Sequence, residues 1–150
     1  MVALAACQAD TPVRATPAAP TARVDLLVSG DDDRCARSTF DSLIDALNRA
    51  DQARLAYLVG GSFVSLTVQG STTYESRVAV DRLLTVGRSG ERWSLTRLDV
   101  NGRDSYFNGV HYGVVIRRSG PDVKDPYVDS AGKGVLDCPA GRVLIFGLGD

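Results

Sequence analysis

Apolar residues recur along this chain with two periods, helical in the first half and alternating in the second. Over residues 34 to about 50, Phe40, Leu43, Ile44 and Leu47 fall at spacings of three, four and seven, with Arg37, Asp41, Asp45 and Arg49 around the remainder. This pattern predicts an amphipathic helix. Just upstream, Ser29-Gly30-Asp31-Asp32-Asp33 supplies turn chemistry and negative charge at the helix start. The stretch Asn48-Arg49-Ala50-Asp51 breaks the helix, and Asp51 is placed to cap a second, shorter one over residues 52–58, which Gly60-Gly61 ends. Val64, Leu66 and Val68 alternate with Ser65 and Thr67, which predicts a half-buried strand. Thr72-Thr73-Tyr74-Glu75 has the spacing of a capping box and leads into a third helix over about 76–86, with Val80, Leu83 and Leu84 inward and Gly87 and Gly90 closing it.

The period then changes to two. Residues 91–100 begin with Trp93 and Leu95 in phase and end with Leu98 and Val100 in the opposite phase, so a bulge is expected near Thr96 or Arg97. Asn101-Gly102 is expected to turn the chain. Beyond it, Tyr106, Asn108, Val110, Tyr112, Val114 and Ile116 share one face of a long strand. Residues 117–133 read as a polar, Gly- and Pro-containing loop, and residues 134–138 and 142–148 as a hairpin across Pro139-Ala140-Gly141. Helices first and an antiparallel meander afterwards predict an α+β domain, three helices packed on a bent antiparallel sheet.

Composition and charge narrow the partners. The chain has 150 residues, 44% hydrophobic and 23% charged, an ordinary globular balance with enough length for one real core. A net charge of −1 argues against electrostatic recognition of nucleic acid, which needs a basic face. Residues 8–23 are rich in Pro, Ala and Thr without apolar periodicity and read as an extended tether. Residues 24–28 form a short apolar run suited to an edge strand or a docking segment, so the domain is assigned to residues 24–150.

The segment Leu4-Ala5-Ala6-Cys7 resembles the lipobox of bacterial lipoproteins. That resemblance makes residues 1–7 the remnant of an export signal and Cys7 the acylated N-terminus of the mature chain, anchored to a membrane on the outer side by its acyl chains. Cys35 and Cys138 are then an even pair in an oxidising compartment, which favours a disulfide closing a loop of about 100 residues; two buried free thiols are the alternative.

The order of elements, with Asn48-Arg49-Ala50-Asp51 after the leading helix, Gly90-Glu91-Arg92 after the third and Lys133-Gly134-Val135-Leu136-Asp137-Cys138 in the last hairpin, resembles small exported proteins of the nuclear transport factor 2-like superfamily. The resemblance covers about residues 33–149. It implies a cone-shaped, cystatin-like α+β fold in which a bent sheet wraps the first helix and leaves a pocket at its open end. The superfamily includes ketosteroid isomerase-like and SnoaL-like enzymes and many members without chemistry, so the fold alone does not choose a function. Within this frame a Cys35–Cys138 bridge turns Cys138 and Leu136 toward the helices and Asp137 away from them, outside any inward pocket.

Candidate chemistry is sparse. His111 is the only histidine, and alternation points it away from the apolar face, where an outward or interface role outweighs that of a general base. No Gly-x-Ser-x-Gly elbow accompanies it, no ligand cluster suggests a metal, Gly87-Arg88-Ser89-Gly90 is too short for a phosphate loop, and no residue pattern calls for a cofactor. Asp99 is the acid whose strand can carry it toward a cavity. Tyr57, Trp93, Tyr106, Asn108 and Tyr112 are the candidates for lining a small-molecule pocket, with core packing as their other role. The sequence therefore favours a non-catalytic, envelope-anchored module that binds a small apolar ligand or a partner protein. An isomerase- or cyclase-type enzyme is the runner-up, and a protein-interaction or dimerisation module built on the face bearing His111, Val115 and Arg117 is the third reading.

Overall fold

A computed structural model describes residues 29–59, 63–65, 75–104, 109–138 and 140–149. Cys7, the tether, the apolar run at 24–28, Leu66, Val68, Tyr106 and Asn108 lie outside the described residues. Helices α1 (Gly30–Asn48), α2 (Gln52–Leu58) and α3 (Ser76–Arg88) pack on a sheet in which β2 (Arg92–Asp104), β3 (Gly109–Ser119), β4 (Val128–Asp137) and β5 (Arg142–Leu148) form an antiparallel meander. The short β1 (Phe63–Ser65) adds to the far side in parallel with β5, giving the order β1-β5-β4-β3-β2. The architecture is the expected α+β one.

Helix α1 begins four residues before its apolar period. Ser29 caps it, its hydroxyl accepting from the Asp32 N–H while the Asp32 carboxylate accepts from the Ser29 N–H, and Asp31, Asp32 and Asp33 place negative charge at the positive end of the helix dipole. Ala36, Phe40, Leu43, Ile44 and Leu47 form its buried stripe. Helix α2 occupies the expected residues, with the Asp51 carboxylate accepting from the Arg54 N–H. Helix α3 starts where expected without a capping box: Glu75 is itself the N-cap and makes no side-chain cap bond. Gly87 lets α3 touch α1, since a Cβ there would lie 2.2 Å from the Leu47 carbonyl oxygen.

Both ends of α1 are tied to other elements. At its C-terminal end Asn48 donates from Nδ2 to the Trp93 carbonyl at 2.8 Å and accepts from the Trp93 N–H at 2.9 Å. Near its N-terminal end Cys35 is disulfide-bonded to Cys138, with Cα atoms 6.0 Å apart, and the buried Asp32 carboxylate receives Arg103 of β2 at 2.6 Å. Between these ties Phe40 stands edge-on to Tyr112 with ring centroids 4.6 Å apart and meets Phe146 at 6.3 Å, while Trp93 packs on the other side of Phe146. The bridge turns Leu136 and Cys138 inward and leaves Asp137 partly exposed, as alternation requires.

Two sequence expectations fail in the sheet. Asn101-Gly102 does not turn the chain; it lies inside β2, where the pairing slips between Val100↔Tyr112 and Gly102↔His111 and Gly102 takes φ 135°. A turn signal has become a β-bulge, which also uses a left-handed glycine. Likewise the polar stretch 117–133 is not a loop. β3 runs on to Ser119 and β4 starts at Val128, the two held together by cross-strand pairs such as Arg117↔Asp129, so the connection shrinks to residues 120–127. The bulge expected near Thr96 is present, with a slip between Leu95↔Ile116 and Arg97↔Val115, and it brings Trp93, Leu95, Leu98 and Val100 to one side.

Candidate functional site

Pairing register defines two faces of the sheet. Val110, Tyr112, Val114 and Ile116 of β3 are buried against the helices, which puts His111, Gly113 and Val115 on the outer face. Across the outer face one row runs Asp99, Gly113, Lys133, Gly147, and the next runs Gly102, His111, Val135, Ile145. Lys133 thus has a glycine on each neighbouring strand, and the two missing side chains leave a notch around it. The notch opens into a concavity of about 530 Å³, lined mainly by apolar surface from Val135, Ile145 and the glycines. This volume falls within the range of small-molecule sites.

The polar groups of the concavity come from three strands. The bulge in β2 throws Asn101 out of the ladder, so its amide nitrogen lies 3.5 Å from the position a Gly113 Cβ would take, and Asn101 forms one wall. His111 stands at the rim, its Nε2 2.9 Å from Oδ2 of Asp104, which fixes the ring and leaves Nδ1 facing away from the carboxylate. Lys133 also lines the concavity. Behind them, the Tyr112 hydroxyl donates to the Ile145 carbonyl at 2.9 Å, passing over Gly134, where a Cβ would lie 2.6 Å from that hydroxyl and 1.8 Å from the carbonyl oxygen. Burial pushes the Tyr112 phenol well above its ordinary pKa, so it remains a donor and not an anion.

The residues singled out from sequence separate in space. Tyr112 and His111 reach the concavity; Trp93 lies in the core with its Nε1 donating to the buried Glu91 carboxylate at 2.7 Å, which Arg118 also engages at 2.6 Å. Tyr57 is 53% exposed and sits between the guanidiniums of Arg54 and Arg142. Asp99 is on the outer face, ion-paired with Arg97 at 2.7 Å and half exposed. Among the described residues no cluster of three or more His, Cys, Asp or Glu side chains is arranged to hold a metal. Sequence reasoning missed Asn101, Lys133 and Ile145, because the site is made by register and by absent side chains.

A bent four-stranded antiparallel meander packed on three helices is shared with solved structures. A protein of unknown function with a cystatin-like fold from Methylobium petroleophilum superposes with a TM-score of 0.59 at 15% identity, over 77% of this chain and 74% of that one. The fold is cystatin-like. Two other structural neighbours carry names of enzymes. A candidate polyketide cyclase from Sinorhizobium meliloti has a TM-score of 0.55, 14% identity and coverage of 74% and 93% of the two chains. An epoxide hydrolase from M. tuberculosis has a TM-score of 0.54, 16% identity and coverage of 79% and 84%. No family model and no curated protein matches the sequence. At these identities the likeness is one of fold.

Proposed function

We propose that the protein is an extracytoplasmic, lipid-anchored binding module that holds a small, largely apolar molecule on the outer face of its sheet and carries out no reaction. The observation that carries this reading is the outer-face concavity, about 530 Å³, with an apolar floor and only a few polar groups at its margin. Such a composition suits capture of an apolar body oriented by a handful of hydrogen bonds. The Cys35–Cys138 bridge supports export, since disulfides persist in oxidising compartments. Acylation at Cys7, expected from Leu4-Ala5-Ala6-Cys7, supplies the anchor.

Mass spectrometry of the protein from its native membrane tests both parts. Intact-mass analysis is expected to show Cys7 carrying diacylglycerol, and native spectra to show a small-molecule adduct that is lost when Gly113→Val fills the notch. An unmodified Cys7 removes the anchor; an adduct retained in full by Gly113→Val removes the binding site. The enzyme reading draws on the His111–Asp104 pair at the rim, a base with its orienting carboxylate. Against it, the nearby Tyr112 hydroxyl is already committed to the Ile145 carbonyl and so does not serve as the matching acid.

A further inference from the structure

We infer that the outer-face concavity selects a carboxylate-bearing amphiphile, a single apolar chain ending in one anionic head, with Lys133 as the residue that recognises the head. This inference rests on the binding reading above. Lys133 is exposed and stands between Gly113 and Gly147 on the adjacent strands, where it lines the concavity with no ion-pair partner among the described residues. By contrast, Asp99 in the same cross-strand row is taken by Arg97, and Asp104 by His111. An exposed ammonium beside apolar surface, with the nearby carboxylates already engaged, favours an anionic head through a charge-assisted hydrogen bond.

The neighbouring groups agree with an acid head. The Asn101 amide, aimed over Gly113 by the bulge, adds an uncharged donor beside the ammonium. The Asp104 carboxylate is engaged by His111 Nε2, so it does not stand as an unpaired negative charge beside the head site. On the other side of the recess Val135 and Ile145 offer apolar surface for a chain. Phosphate-headed lipids fit less well: a dianionic head calls for more than one cation, and Lys133 is the one cationic side chain among the described residues that line this concavity.

The test uses the full 150-residue chain carrying Cys7→Ser, which blocks acylation and allows calorimetry without detergent. Decanoate and 1-decanol are titrated as probes of equal chain length. Decanoate is expected to bind about threefold to fivefold more tightly, the difference an exposed ion pair makes. Lys133→Met is expected to abolish that preference while keeping decanol binding, and Gly113→Val to abolish both with the thermal midpoint maintained. Equal affinities in the parent chain would overturn the carboxylate assignment and leave the binding reading standing. No binding of either probe would overturn both, and a preference that survives Lys133→Met would remove that lysine from the head site.

Discussion

Removing the Cys35–Cys138 bridge offers the most quantitative test of how this domain is held. The bridge spans a sequence separation of 103 and joins the first turns of α1 to the end of β4, so it constrains nearly the whole unfolded chain. In the chain-entropy model a loop of about 100 residues gives about 4.7 kcal/mol at 25 °C. With an unfolding entropy of about 2.1 cal/mol/K per residue over roughly 120 ordered residues, that corresponds to a fall in Tm of about 15–20 °C. The assay compares urea and thermal unfolding of the oxidised protein, the reduced protein and Cys35→Ala/Cys138→Ala. The reduced protein keeps both sulfur atoms and isolates the cross-link, whereas the alanine pair also loses packing around the buried Cys138. The denaturant slope should rise on opening the bridge, because the cross-linked unfolded chain is more compact. A loss below about 1 kcal/mol in the reduced protein would refute the reasoning and show that the ties at Asn48 and Asp32 already fix α1.

Three further outcomes follow from single contacts. Gly134→Ala is expected to destabilise by more than about 2 kcal/mol in urea unfolding, since the new Cβ collides with the Ile145 carbonyl and with the Tyr112 hydroxyl. Burial raises the Tyr112 phenol, so its contribution to stability is present below the ordinary value of about 10 and lost as pH rises from there toward the folded value; ultraviolet titration should show Tyr112 ionising only with unfolding, and Tyr112→Phe should remove that step. The Asp129 carboxyl is held below its usual range by the hydrogen bond from Arg117, so its contribution is present above the unfolded carboxyl value and lost as pH falls through the folded one; carboxyl-carbon NMR should return Asp129 to the ordinary range in Arg117→Met.

What was legible in the sequence follows from where a signal is local. Asp51 capping the second helix, and the change of phase between Leu95 and Leu98, are read within one segment, and both appear in the fold. The start of α1 was less legible because Gly30 and three aspartates look like a loop until Ser29 and Asp32 are seen to cap each other. The first half of β4 was invisible for a different reason. Its inward positions are Ser130, Gly132 and Gly134, with no hydrophobic alternation, because the volume is filled from neighbouring strands by Val114 and Leu148 over Gly132 and by Tyr112 over Gly134. The same logic hid the candidate site. Gly113 and Gly147 are 34 positions apart in the chain, and only the register sets them on either side of Lys133. His111 was legible as outward-facing from the alternation of Val110 and Tyr112, but Asp104 and Asn101 could be placed near it only once the expected turn had become a bulge.

Strand β2 lies at one margin of the sheet, where thirteen residues of backbone would otherwise offer an inviting template to another molecule. Its slips at Thr96 and Asn101 interrupt the run of free amides, and Arg92, Arg97, Asp99, Arg103 and Asp104 set charged side chains along it. The opposite margin is the three-residue β1. A protein finished in this way resists end-on polymerisation into cross-β fibrils, and straightening β2 by deleting Asn101 would trade a recognition wall for a sticky, fibre-forming seam.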